Sequence, residues 1–363
     1  MKKNVNFKRD YKDDHGASCH TDRVHNFLKL SPKFLVTLLL PMAMLFSLPA
    51  SATSYSIPGY HVQLLPQAPG STEFGQTLGF NNKGIIVGTS DAEPGGWMYD
   101  MKTGEYTTID DFLPLTINNN GLMAGKSLSG NCAIRNRHGV ITEFSTPSLE
   151  ALGEPCTTSA RGVNENGKVT GFEILSDGTW FGYVYDSKKG VTEEYLANPV
   201  RTIAQGITSS GAIVGTTAVD GERVAFLRDK DGSLKTFLVN EPDAIPGLSN
   251  ARGISEDGEL ISGFYVNFPD FEAVGFVAES SGLSDVPWPV NLDVTVLEIR
   301  PCNPDSSPPQ GWFSFTDSYA QAIRNNGVVV GFCADVYWEG FAADPNFENL
   351  IFDYGYTFIA TPE

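Results

Sequence analysis

The chain has 363 residues, with 43 Asp/Glu against 25 Lys/Arg and a formal net charge of −18. That field repels a phosphate backbone, which excludes nucleic acid as a partner, and it disfavours binding to an anionic membrane. The length suits one large domain or two ordinary ones.

Residues 1–52 read as an export signal. An uncharged apolar run spans Phe34–Ala50 behind Lys29 and Lys33 and ends in Ala50-Ser51-Ala52, the small-x-small pattern of a cleavage site. The run is short and broken by Pro41 and Pro49, which argues against a permanent membrane helix. Removing its eight Lys/Arg and four Asp/Glu from the totals leaves 17 basic and 39 acidic groups, a formal −22. Cys19 leaves with it, and Cys132, Cys156, Cys302 and Cys333 remain. An even number in an exported chain permits disulfides, in any of three connectivities. Pairing Cys132 with Cys156 and Cys302 with Cys333 is the sequence-local choice. No C-x-x-C spacing points to a zinc or redox site.

Beyond residue 53 one phrase recurs six times. It reads "GQTLGFNNKGIIVG" at Gly75–Gly88, "LTINNNGLMAG" at Leu115–Gly125 and "ARGVNENGKVTG" at Ala160–Gly171. The later copies are "AQGITSSGAIVG" at Ala204–Gly215, "ARGISEDGELISG" at Ala251–Gly263 and "AQAIRNNGVVVG" at Ala320–Gly331. Each copy is a small-residue strand, a polar turn closed by Gly, an aliphatic strand and a second Gly. The fourth copy extends cleanly into two more strands. "DGE" at Asp220–Glu222 is a hairpin turn, "RVAFLRD" (Arg223–Asp229) a third strand, and "LKTFLV" (Leu234–Val239) a fourth after Gly232. Four short antiparallel strands per unit make the blade of a β-propeller.

The second glycines (Gly88, Gly125, Gly171, Gly215, Gly263, Gly331) are spaced 37, 46, 44, 48 and 68 residues apart, so the last interval holds an insertion, near 281–318. These glycines are expected to permit a bulge or a close blade-to-blade contact. "YHVQLLPQAPG" (Tyr60–Gly70) resembles a fourth strand that precedes the first repeat, and "YTFIATPE" (Tyr356–Glu363) a third strand with nothing after it. Sharing one sheet between the two ends would complete the last blade. The count is then six blades, with seven as the alternative.

The pattern resembles the HAF family of probable extracellular repeat proteins, whose unit pairs a "GIN-x-x-G-x-(I/V)-V-G" phrase with a "(H/G)-(A/G)-F" phrase. The second phrase is matched by "CAI" at Cys132–Ile134, "GYV" at Gly182–Val184, "AFL" at Ala225–Leu227 and "GFV" at Gly275–Val277, without the family's frequent His. The resemblance covers roughly residues 60–361. It implies an extracellular repeat protein and no particular activity.

Catalytic chemistry has little to stand on. After export two histidines remain, His61 in the closing strand and His138 in a hairpin turn, and neither has partners in view for a triad or a metal site. Adjacent acids at Asp110-Asp111 and Glu193-Glu194 point to opposite faces of a strand rather than at each other. The Asx-rich turns at Asn118–Gly121, Asn164–Gly167, Asp229–Gly232 and Glu256–Gly258 suit positive φ by themselves, so no cofactor is expected, with Ca²⁺ the minor alternative. Trp288, Trp312 and Trp338 lie in or beside the insertion, where aromatic faces could stack on a ligand.

The sequence therefore predicts an all-β protein. Residues 1–52 are a signal peptide, and 53–363 are a single six-bladed propeller, exported to the periplasm or medium as a monomer. It is expected not to be an enzyme but to recognise an extracellular glycan or protein. The alternatives are a polysaccharide-acting hydrolase or lyase with carboxylates at the channel mouth, and a structural surface or matrix component.

Overall fold

The computed structural model describes residues 54–363 apart from 69–75, 90–94, 157–159, 196–200, 269–271, 287, 300–301, 303–312 and 339–349. The proposed export signal lies outside the described residues, among which no helix is long and apolar enough to cross a membrane.

Strands β1 (Ser54–Ile57) and β2 (Tyr60–Leu64) precede the first repeat. That repeat folds as β3 (Gln76–Phe80), β4 (Ile85–Thr89), β5 (Gly96–Asp100) and β6 (Glu105–Ile109). The second gives β7 (Phe112–Ile117), β8 (Met123–Ser127), β9 (Cys132–Arg135) and β10 (Ile141–Glu143), then the short helix α1 (Pro147–Leu152). The third gives β11 (Ala160–Val163), β12 (Lys168–Ile174), β13 (Trp180–Asp186) and β14 (Val191–Tyr195). The fourth gives β15 (Ile203–Ile207), β16 (Ile213–Val219), β17 (Glu222–Arg228) and β18 (Leu234–Val239). In each of these repeats the four strands pair antiparallel in chain order.

The fifth repeat is less regular. Strands β19 (Ala244–Ile254), β20 (Leu260–Asn267) and β21 (Ala273–Glu279) pair in order. Next, β22 (Val290–Leu292) pairs parallel with β18 of the fourth repeat, and β23 (Val294–Leu297) completes its own sheet beside β21. The stretch 281–318 thus carries the fifth sheet's last strand. It also holds the start of β24 (Phe313–Ile323), which leads into β25 (Val329–Trp338) and β26 (Leu350–Pro362). "GFAADPNFENLIF", without a clear place in the sequence, supplies the start of β26, and 340–349 lie outside the described residues.

The two chain ends share one sheet, ordered β1-β2-β26-β25-β24. Tyr60 pairs with Pro362 and Leu64 with Phe358, antiparallel, so β2 takes the fourth place as expected and β1 adds a fifth strand outside it. The first strands of the six repeats also touch one another in sequence: β3 lies against β7, β7 against β11, β11 against β15, β15 against β19, β19 against β24, and β24 against β3.

Two residues of each repeat explain the packing. The second glycine pairs across the ladder with an aromatic residue of the third strand in five repeats: Gly88 with Trp97, Gly171 with Tyr183, Gly215 with Phe226, Gly263 with Phe276 and Gly331 with Phe358. Those five aromatics are among the largest fully buried side chains, and each lies across from a position without a Cβ. The second repeat swaps in Ala133 opposite Gly125. On its other neighbour the same glycine faces a β-bulge, since the pairing between first and second strands shifts register in all six repeats. A Cβ on Gly215 would run into the carbonyl oxygen of Ile203, far inside contact distance. The bulge half of the sequence expectation is therefore the correct one at this glycine.

Both disulfides take the sequence-local connectivity, with Cα–Cα distances of 5.3 Å for Cys132–Cys156 and 5.6 Å for Cys302–Cys333. In the chain-entropy account, loops of this size stabilise by about 3 kcal/mol each. Helix α1 packs buried Leu149 against the first of them. Pro147 suits its first helical turn, and Gly153, left-handed at φ 69°, closes its C-terminus.

Candidate functional site

A bulge leaves one residue of the first strand without a ladder partner and re-aims its side chain. In the six repeats the residue at the register shift is Leu78, Leu115, Arg161, Gln205, Arg252 and Gln321. The same six side chains line one cavity where the first strands of the repeats meet. Its free space, about 10 Å³ for the centre of a water molecule, holds roughly one water. Small residues after the bulge bring the walls this close. A Cβ on Gly253 would lie 2.8 Å from Ala322 Cα and 3.0 Å from the carbonyl oxygen of Gln321 on the next repeat.

The lining is chemically divided. Leu78 and Leu115, from consecutive repeats, form an apolar arc, and Arg161, Gln205, Arg252 and Gln321 form a polar one. The two guanidinium groups lie over aromatic rings of their own sheets, Arg161 at 5.8 Å from the Phe172 centroid and Arg252 at 5.1 Å from that of Phe264. No carboxylate is among the lining residues. The acids that a polysaccharide-acting enzyme was expected to place here are therefore not in this wall.

The turns after the first strands are bound into a belt. Asn81 Nδ2 donates to the carbonyl of Asn118 (3.1 Å), Asn118 to that of Asn164 (2.8 Å) and Asn164 to that of Thr208 (2.9 Å), always one repeat onward. Backbone donors of the same turns add a second set of bonds onward. Backbone N–H groups of Asn82, Asn119, Ser209 and Asp257 donate to side chains of Asn119, Glu165, Glu256 and Asn325 on the following repeat. Between the sixth repeat and the first, the Arg324 guanidinium donates to the carbonyl of Asn81 and lies 4.2 Å from the Phe80 centroid. Burial lowers the Arg324 pKa to about 10. The Asx oxygens read as candidate Ca²⁺ donors are engaged in this way: Asn118 Oδ1 accepts from the N–H groups of Asn120 and Leu122, both at 3.0 Å.

A second small cavity lies between the third and fourth repeats, lined by Trp180, Arg201, Ile203, Thr216, Thr217, Ala218, Gly221 and Arg223. It too has two arginines and no carboxylate.

The residues singled out in the sequence are scattered. Trp288 is 64% exposed, between the fifth repeat's third strand and β22. Trp338 ends β25, and Trp312 lies outside the described residues. Trp97 is fully buried and donates its indole N–H to the carbonyl of Thr89 (3.1 Å), while Trp180 stacks on Phe172. His61 sits exposed on β2, and His138 lies in the Asn136–Gly139 turn with Arg137 Nε 3.1 Å from its Nε2. Asp111 pairs with Arg135 at 3.0 Å, and Glu194 accepts from the N–H and hydroxyl of Ser148, both at 2.6 Å. Cys132, Cys156 and buried Glu173 come together, with both sulfurs engaged in the disulfide. Sequence reasoning misses the cavity residues: three of them, Arg161, Gln205 and Arg252, lie between Ala and Gly, but Leu78 follows Thr77, Leu115 lies between Pro114 and Thr116, and Gln321 lies between two alanines, so no single phrase marks all six.

No family model and no curated protein matches the chain. Solved structures do resemble it. A virginiamycin B lyase from Staphylococcus aureus is 12% identical over 83% of this chain and 100% of its own, with a TM-score of 0.46. An oligogalacturonate lyase in complex with manganese is 12% identical over 87% and 97%, at 0.40. TolB from Acinetobacter baumannii is 11% identical over 84% and 60%, at 0.35. Likenesses of this size concern the fold alone. They nevertheless correct one expectation. The reading that the chain is not an enzyme rests on a sequence without a catalytic constellation. Its structural neighbours include lyases, so the absence of a recognisable motif is no ground for denying activity.

Proposed function

We propose that the six sheets form a closed six-bladed propeller, that the chain is exported, and that it recognises an extracellular glycan or protein at the mouth of the axial cavity. The ring is supported by the unbroken circuit of contacts between innermost strands and by the shared sheet of the two chain ends. Export is supported by the apolar run at Phe34–Ala50 and by two disulfides, which form and persist in oxidising compartments. The HAF-like repeats fit an extracellular protein.

The observation that carries the recognition reading is the lining of the cavity. A bulge whose only task was to seal the axis would be served by one apolar residue repeated six times. Instead the six residues at the bulge differ, with apolar side chains on one arc and guanidinium and amide groups on the other. Converging polar groups in a small concave site are what a binding site offers. The proposal is tested by retention of the exported protein on an array of extracellular polysaccharides and proteins. The double substitution Leu78→Gln and Leu115→Gln, which installs a residue the fold already carries at this position, is expected to weaken retention. Unchanged retention for that variant, with loss for Trp288→Ala, would move the site to the exposed loop before β22 and refute the axial reading.

A further inference from the structure

Glu173 belongs to β12 of the third repeat and is 1% exposed, yet it lies against a disulfide of the second. Its Oε1 is 3.3 Å from Cys132 Sγ and touches Cys156 Sγ as well. We propose that Cys132–Cys156 is a redox-active pair opened by an external dithiol, that Glu173 is the acceptor which holds the two resulting thiols, and that Cys302–Cys333 is structural. The pair is hidden in the sequence because its cysteines are 24 residues apart and the carboxylate comes from another repeat. It does not depend on what the axial cavity binds.

Three observations converge. The first is hydrogen bonding. Sulfurs in a disulfide have no hydrogen to give, so a carboxylate oxygen placed on both of them faces lone pairs. After reduction each sulfur carries an S–H, and one carboxylate oxygen has two lone pairs to accept them. Hydrogen bonds to an ionised acceptor are the stronger kind, so this contact favours the dithiol over the disulfide. The second is access. Both sulfurs are buried, but residues 150–153 and Pro155 on the chain leading to Cys156 are exposed, and α1 buries only Leu149. A segment with so few buried apolar contacts opens locally, and its opening uncovers Cys156 to a thiol. The third is the contrast with the other disulfide. There the nearby carboxylate of Asp335 accepts from the Cys302 N–H at 3.1 Å and from the Thr316 hydroxyl at 2.6 Å. Those donors are the same whether the sulfurs are oxidised or reduced. Cys333 also lies within β25, paired with Ser318 on one side and Tyr356 on the other, so exposing it means parting the sheet that joins the chain ends.

The exchange balances with the dithiol alone. One thiolate of the reagent attacks Cys156 Sγ and breaks the S–S bond, giving a mixed disulfide and a Cys132 thiolate that takes up a proton. The reagent's second thiolate then displaces Cys156 Sγ, which is protonated in turn. The reagent leaves as a cyclic disulfide, oxidised by two electrons, and its two protons end on the cysteines, as S–H groups donating to Glu173 Oε1. What opens is a strap. The connection 144–156 is tied to the third repeat by Ser148, whose N–H and hydroxyl donate to Glu194, and by Ser145, whose carbonyl accepts from Thr192. Reduction removes its covalent tie to β9 of the second.

The test equilibrates the full protein purified after export with mixtures of reduced and oxidised dithiothreitol, traps thiols with a maleimide and maps the labelled cysteines by mass spectrometry. Cys132 and Cys156 are expected to label together, at a ratio of reduced to oxidised reagent about tenfold or more below that needed by Cys302 and Cys333. Glu173→Gln keeps the shape and removes the charge. It is expected to raise the ratio needed by Cys132–Cys156 about tenfold, a shift of about 30 mV for a two-electron couple, and to leave Cys302–Cys333 in place. A Glu173 that only supported the fold would move both disulfides or neither. Opening of Cys302–Cys333 first, opening of the two together, or a Glu173→Gln midpoint that stays put or moves toward easier reduction would overturn the inference. Should the variant fail to fold, the order of opening in the unsubstituted protein decides alone.

Discussion

Gly215 is the most demanding position in the repeat, and Gly215→Ala is the substitution that tests it. A methyl group here is caught from two sides. In front, it would overlap the carbonyl oxygen of Ile203 on β15, and behind, it would come to 2.9 Å from Phe226 Cε1. Phe226 is fully buried and has no open space to move into. The carbonyl belongs to a backbone that is paired with Gly215's own strand, so it retreats only by loosening the Ala204–Gly215 pairing. Overpacking of a filled core costs about 1–3 kcal/mol, and a loosened pair of ladder hydrogen bonds adds about 1 kcal/mol each. A loss of about 3–5 kcal/mol follows, read from urea midpoints with the disulfides intact. The control is Gly221→Ala, in the Asp220-Gly221 turn at φ +86, where an added methyl meets nothing within 4 Å. It incurs only left-handed backbone strain, about 1–2 kcal/mol. If Gly215→Ala costs no more than the control, the bulge does not press on this glycine and the account of how the cavity residues are aimed fails with it.

Two further outcomes follow from the same framework. Asn164 holds the belt with Nδ2 and its own turn with Oδ1, which accepts from Asn166 and Lys168 N–H at 3.0 and 2.9 Å. Asn164→Asp keeps the acceptor and loses the donor, leaving the buried Thr208 carbonyl without that partner. A loss of about 1–2 kcal/mol is expected by denaturant titration, and a fully silent substitution would remove the belt as a source of stability. Glu143 carries the acid-sensitive contact: hydrogen bonds from Ser127, Ser129 and Asn131 lower its pKa from 4.5 to about 2. A depressed carboxylate pKa gives stability that is fully present above pH 4.5 and disappears as pH falls toward 2. Glu143→Gln should therefore flatten the stability profile across that window, by a small margin since the side chain is exposed. Parallel profiles for the two proteins would show that these hydrogen bonds do not differ between the folded and unfolded chains.

The strand plan is legible because each repeat states it locally. Asp220 and Gly221 take φ of 51° and 86°, the left-handed pair that the "DG" hairpin signal requires. The match between chain ends is legible too, since Tyr60–Leu64 and Tyr356–Thr361 are each incomplete without a partner. The crossing of β22 onto β18 is not. Its three pairs, Phe237 with Val290 through Val239 with Leu292, join segments more than fifty residues apart and leave no periodic trace in either. Nor can the tryptophans be sorted by sequence: Trp97 is buried opposite a glycine and Trp288 lies open, and the difference comes from what each strand happens to face.

The cavity is hidden for a more specific reason. Alternation along a strand assigns every second residue to one face, and the bulge breaks that alternation at the residue that matters. Read with period two, Gln205 lies between Ala204 and Gly206 as an ordinary outward polar side chain. The register shift between Ala204 and Ile207 turns it inward, where it is buried at 6% exposure. The glycine facing the bulge is visible in all six copies, and it is the physical cause of the shift. Taken first as a bulge marker, it singles out the residue at the register shift in each copy, and these six residues line one cavity. The residue that this recurring distortion re-aims differs among the copies, and in this chain it separates arginine and glutamine on one arc from leucine on the other.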